Sequence, residues 1–346
     1  MYGVNEKVPM QTRVILYTSV FLFLAAFSIW AYKVMISIRP KVGRPRLDAG
    51  ALEVIKDLEV RLKRHVFILA HEIGPRSVFL PESLKAASDY VRAFWEDMEY
   101  EVRVQTYRVN NIACHNLAVE IPGVMKPDEI LLIGAHYDTV SHSPGANDNG
   151  SAVAALLELS RLFRSKAPKR TVRFVAFANE EPPFFKTGQM GSLVYAKGCR
   201  EKKEDIVAMV CLETIGYYRQ ERGTQKYPFP LSIFYPDRGN FIALVGNLRS
   251  KALVTSFARC FMQQSDFPVE CAAVFGFITG IDWSDHWSFW TCDYRAIMIT
   301  DTALFRYPYY HSHEDTADKL DYHSLARVSH GIHQALNRMV ETADNL

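Results

Sequence analysis

Glu129-Ile130-Leu131-Leu132-Ile133-Gly134-Ala135-His136-Tyr137-Asp138 leads, after a short loop, into Gly145-Ala146-Asn147-Asp148-Asn149-Gly150 and then Ser151-Ala152-Val153-Ala154-Ala155. The first run is apolar without alternation, which predicts a strand buried on both faces. Gly145 and Gly150 bracket a tight turn, since glycine tolerates positive φ and close backbone approach. Residues 150–163 then predict a helix with small residues on one side. Two further buried strands are expected at 171–178 and 206–212.

Helices are expected at about 51–70, at 81–100 (opened by Pro81-Glu82-Ser83) and at 322–342. Shorter strands are expected at 102–109, 116–121, 231–235 and 295–300. Strands alternating with helices predict an α/β domain: a mixed, largely parallel central β-sheet flanked by helices. Such sheets bind ligands at the carboxyl ends of their strands.

The chain has 346 residues, 49% hydrophobic and 23% charged, with a net charge of +2. That length can bury a large core. Its dispersed lysines and arginines speak against nucleic-acid binding, which needs clustered positive charge. Cys114, Cys199, Cys211, Cys260, Cys271 and Cys292 form no close pair. This excludes a zinc ribbon or a CxxC redox motif and gives no sign of a disulfide framework.

Val14 to Tyr32 carries no charge. A bilayer-spanning helix needs about 20 apolar residues, and Trp30 and Tyr32 could anchor its end at the interface. A cleaved signal peptide is the other reading, but the run is long for one and no small-x-small site follows. A single-pass membrane anchor through residues 14–32 is therefore expected. Residues 1–46 would form tail, anchor and basic linker, and residues 47–346 the catalytic domain. Lys7 and Arg13 precede the span; Lys33, Arg39, Lys41, Arg44 and Arg46 follow it. That balance favours a cytoplasmic domain by the positive-inside rule. An extracytoplasmic domain is nonetheless the expectation carried forward.

Five segments could carry chemistry, each after an apolar run. His136 and Asp138 are two apart in an extended segment and share a side. His136 reads as a metal ligand and Asp138 as the carboxylate that fixes its tautomer. Asp148 can bridge two ions with its two oxygens. Glu180 and Glu181 are adjacent, so their side chains diverge: Glu181 reads as a ligand and Glu180 as a general base. Glu213 ends a buried strand, where an unpaired carboxylate is costly and metal coordination removes the cost. His311 and His313 compete for the last ligand position, with His142 and His286 as spares. Alone, each segment has a plain explanation in a helix cap, a surface ion pair or a solvated turn. Two divalent cations would bring four positive charges against three carboxylates, and one hydroxide would balance the remainder. Mixed imidazole and carboxylate ligands suit Zn2+, with Co2+ or Mn2+ as substitutes.

From about Gly74-Pro75-Arg76-Ser77 onward, this ordered set resembles the M28 family of zinc metallopeptidases, which includes bacterial aminopeptidases and glutamate carboxypeptidases. The resemblance implies two Zn2+ held by His136, Asp148, Glu181, Glu213 and His311, with Asp148 as bridge and Glu180 as base. It favours His311 over His313 and gives Tyr310 an oxyanion-stabilising role. It implies a peptide substrate and exopeptidase activity, most simply that of an aminopeptidase. Carboxypeptidase or dipeptidase action, glutaminyl cyclisation on a related one-zinc fold, and a non-catalytic receptor are the alternatives. Two departures stand out. Many members have Asp where this chain has Glu213, and Pro182 to Gln189 replaces a shorter turn. The segment Ile281-Asp282-Trp283-Ser284-Asp285-His286 resembles the one that lines the family's substrate cleft.

Overall fold

The computed structural model describes residues 10–38, 40, 42–43, 45–229 and 231–341. Residues 1–9, Arg39, Lys41, Arg44 and residue 342 lie outside the described residues, and with them much of the charge balance around the expected span.

One mixed eight-stranded sheet organises the chain, in the order β1-β2-β4-β3-β5-β8-β6-β7. Its strands are β1 (Arg103–Val109), β2 (Ile112–Ile121), β3 (Lys126–His136), β4 (Arg170–Phe177), β5 (Asp205–Glu213), β6 (Ile242–Asn247), β7 (Val269–Val274) and β8 (Ala296–Thr300). The central four, β4-β3-β5-β8, run parallel. β2 is antiparallel to β4, and β6 to β8.

The central strands are buried on both faces, as their unbroken apolar runs require. Along β3, Leu131, Ile133 and Ala135 enter one core, and Ile130 and Leu132 the other. The first core lies under α2 (Ala49–Phe67), α3 (Pro81–Asp97), α4 (Ala152–Phe163), α6 (Lys251–Gln264) and α8 (Tyr322–Glu341). The second is covered by α5 (Gly191–Glu201) and α7 (His286–Thr291). α2 lies outermost, against α4 and α8.

One expectation needs correction: Leu231–Ile233 is a 3-10 turn, not a strand. Between the apolar helix and the expected basic linker, Met35 and Ile38 are buried in the two cores. That helix, α1 (Met10–Ala31), is long and apolar enough to cross a membrane, and its Met10–Ser28 window is wholly unburied.

Candidate metal centre

His136 and Glu213 are the last residues of β3 and β5, and Glu180 and Glu181 follow the end of β4. Parallel pairing brings these ends side by side, with His136 opposite Phe177 and Gly134 opposite Cys211. Asp148 reaches the same place from the loop before α4. Gly145 opens that loop at φ +63°, and a Cβ there would stand 2.2 Å from Thr139 and 2.4 Å from the Asp148 carbonyl oxygen. Only glycine fits.

Buried polar groups clamp the loop. The Arg76 guanidinium donates to the carbonyls of Leu69, Gly74, Tyr137, Pro144 and Gly145. Asp315 accepts from the amides of Asn147 (2.8 Å) and Asp148 (3.1 Å) and from the Tyr307 hydroxyl (2.7 Å). The Asn147 side chain accepts from the Gly216 amide and donates to Asp301. Asn149 accepts from the Thr214 amide and pairs with the Leu212 carbonyl. Asp138 has partners besides the one its spacing predicts. Its carboxylate accepts from the Glu180 and Glu181 amides (3.1 and 3.2 Å). The His136 imidazole Nδ1 lies 3.2 Å from the Asp138 backbone carbonyl and 3.5 Å from its carboxylate. Asp138 thus orients both the imidazole and the Glu180-Glu181 turn.

His136, Asp148, Glu181, Glu213 and His311 meet in one hollow. His136 Nε2 lies 3.3 Å from Glu213 Oε2 and 3.5 Å from Asp148 Oδ1. His311 Nε2 lies 3.0 Å from Glu181 Oε2 and 3.1 Å from Asp148 Oδ2. Each oxygen of Asp148 therefore faces a different triad. His136 Nε2, His311 Nε2, Asp148 Oδ2 and Glu181 Oε1 are buried and take part in no well-formed hydrogen bond. A tetrahedral zinc with bonds of about 2.0–2.1 Å holds its ligand atoms roughly 3.3 Å apart. The observed 3.0–3.5 Å fits a cation at the centre of each triad.

Charge in this hollow is costly without a cation. Burial raises the Glu180 carboxyl well above the usual range, and Glu181, Glu213 and Asp285 add to the effect. Burial and Asp148 push Glu181 up to about 8. Burial opposes charge on His311, but Asp148 and Glu181 outweigh it and push the imidazolium up to about 11. His136 is raised likewise by Glu213 and Glu180 against its burial. A bound cation must displace those protons. Zinc binding is therefore expected to release at least one proton per chain near pH 7, and to weaken by about tenfold per pH unit, per proton released, on acidification. Titration calorimetry in buffers of different ionisation enthalpy measures this. A binding heat that does not vary with the buffer would refute it.

The other histidines sort themselves by environment. His313 is exposed, and His142 Nε2 lies 2.9 Å from the His311 backbone carbonyl. His286 is buried and its pKa is lowered to about 4 by desolvation, with Nε2 donating to the Ile281 carbonyl. Tyr310 stacks on the His311 ring, centroids 3.9 Å apart. Beside Glu213 and Tyr310 opens an apolar pocket walled by Tyr227, Leu231, Tyr235, Phe241, Ile281, Met298 and Phe305. In the Pro182–Gln189 insertion, Lys186 pairs with Asp282 and lies over the Trp287 ring. Sequence reading missed Asp301 and Asp315, and gave no role to Asn147 or to Ser284, which donates to Glu213 at 2.6 Å. It also missed a role for Asp285, whose two carboxylate oxygens are buried without a well-formed hydrogen bond.

Residues 116–336 match the model for peptidase family M28. Over 281 residues, covering 79% of this chain and 85% of the relative, the sequence is 38% identical to uncharacterized protein YfbL of Escherichia coli K12. Over 111 residues, 32% of this chain and 23% of the relative, it is 32% identical to aminopeptidase YwaD of Bacillus subtilis. The fold is shared with BSAP, a zinc aminopeptidase from Bacillus subtilis, at TM-score 0.67 and 14% identity, covering 82% of this chain and 95% of that one. It is also shared with glutaminyl cyclase from Fimbriiglobus ruber, at TM-score 0.58 and 19% identity, covering 86% and 97%.

Proposed function

The chain belongs to peptidase family M28 and is a zinc metallopeptidase, and we propose that it is a two-zinc aminopeptidase removing residues with large apolar side chains. The observation that carries this reading is the pair of triads sharing Asp148. His136, Asp148 and Glu213 would hold one ion, and Asp148, Glu181 and His311 the other. The ions, when bound, polarise the scissile carbonyl and make a water acidic enough to attack it.

Glu180 takes the proton from that water and returns it to the leaving amine. Burial raises its affinity for a proton, which suits a carboxylate that takes one from water and keeps it until the second step. The Tyr310 phenol stands beside Glu213 at the pocket. Burial and the acids around it keep it protonated, so it can donate to the developing oxyanion. Ser284 holds Glu213 in place, and Asp138 holds the turn that aims Glu180.

The choice of terminus follows from charge. Among the described residues, no lysine or arginine lines the pocket, so a substrate carboxylate would find no partner there. The pocket walls reward apolar area. Leucine or phenylalanine at the amino terminus is expected to exceed alanine by about 10- to 100-fold in kcat/KM, since each buried CH2 contributes about 0.8 kcal/mol. A panel of aminoacyl anilides with and without chelator tests this. Cleavage of amino-blocked peptides from their carboxyl end would reverse the assignment. Zinc content adds a second check: about two ions per chain excludes the one-zinc cyclase alternative.

We also take α1 as a single-pass anchor, with residues 47–346 as the extracytoplasmic catalytic domain. Its unburied apolar length supports the span.

A further inference from the structure

Five large apolar side chains stand in solvent, two of them lining the pocket and three within two residues in sequence of ones that do. Phe229 is 85% exposed, Phe277 84%, Ile233 68%, and Trp283 and Leu304 41% each. Trp283 and Leu304 also line the pocket. Phe277 stacks on Phe275, which packs on the core under α5 and α7. Single exposed apolar residues are ordinary; a group gathered at one opening marks a contact surface.

The chain enters the folded body at the same place. α1 ends at Ala31, and the Tyr32 ring lies 5.3 Å from Phe234, the neighbour of Ile233. The turn Tyr32–Ile36 rests on edge strand β7. Met35 is buried in the core that also holds Phe241, Val274 and Ile281. Tyr32–Ile36 continues as helix, so the four residue steps from Ala31 to Met35 rise only about 6 Å. The polar zone of one leaflet is roughly 5–8 Å deep. A body fixed that closely to the end of a spanning helix has no room to stand clear of the lipid.

We propose that the pocket rim, through Phe229, Ile233, Phe277, Trp283 and Leu304, seats on the lipid bilayer that holds α1, so that the cleft opens at the membrane surface. The claim rests on α1 spanning the membrane. Aromatic side chains partition into the interface, and seating the rim there removes its apolar surface from water. Exposed Lys33, at the end of the helix, then stands at the depth of the phosphates. The peptides within reach are those whose ends lie at the bilayer surface.

The test uses the full chain in phosphatidylcholine vesicles carrying a doxyl group at carbon 5 of some lipid chains. Cys260 and Cys292 are the two cysteines that are not buried; replacing both with serine leaves a background for single labels. Phe229→Cys and Phe277→Cys each receive an environment-sensitive fluorophore. Val124→Cys, 64% exposed at the amino-terminal end of the parallel strands, is the control. Flotation on a density gradient reports membrane insertion separately. Severalfold stronger quenching at both 229 and 277 than at 124 is expected. Protein that floats while either rim label is quenched no more than the control overturns the seating. Protein that fails to float overturns the anchor and the seating together.

Discussion

Glu180→Gln is expected to lower kcat by about 10²–10⁴, the usual worth of a positioned general base, while leaving zinc content unchanged. Glutamine keeps the shape of the side chain and loses only the ability to take a proton. Glu180 Oε2 lies 3.9 Å from His136 Nε2, farther than any carboxylate oxygen of the triads. The two ions therefore do not depend on it for a ligand. Its amide is bound by Asp138, so the turn holds its course in the variant. Near-normal turnover with full metal content would remove Glu180 from the proposed mechanism. Loss of zinc together with turnover would make it a ligand instead of a base.

Asp148→Asn is expected to empty both metal positions. Each triad has one oxygen of this carboxylate, and the amide offers a single, uncharged oxygen in its place. Removing a group that merely orients a ligand costs 10–100-fold in affinity; removing a shared ligand is expected to cost at least about that much at both positions. Burial works against charge on Asp148, yet His136 and His311 hold it well below the usual carboxylate range, so the charge lost is a full one. Zinc per purified chain should fall from about two to below one. Glu213→Gln supplies the contrast, since Glu213 belongs to one triad only, and should spare the position at His311. Two tightly held ions in the Asp148 variant would show that the triads do not share it.

Much of the scaffold is legible because burial on both faces writes itself as unbroken apolar runs. Ile130 to Ala135 and Val172 to Phe177 are examples, and both are fully buried strands. Leu231 to Tyr235 carries a similar composition but forms a 3-10 turn that walls a pocket. Apolar content alone does not separate the two. The short strands β6 and β7 went unassigned, although the still shorter β8 was expected.

The candidate site divides in the same way. Residues at strand ends are legible because topology puts chemistry there. The choice between His311 and His313 is not. An extended chain would turn both to one side, but His311 sits at φ +54°, so 311 faces the hollow and 313 faces water. Asp301 and Asp315 were out of reach for another reason. Their partners in the 145–150 loop lie more than 150 positions away in sequence, and no local pattern records such a pairing.

That long reach gives the molecule a schedule. Translation delivers the amino-terminal half first, and with it His136, Asp148 and the glycine-bounded turn. Until residue 315 leaves the ribosome, the Asn147 and Asp148 amides lack their acceptor. α2 waits longer still for its neighbour α8. An unfinished chain thus carries a half-built and slack cutting centre.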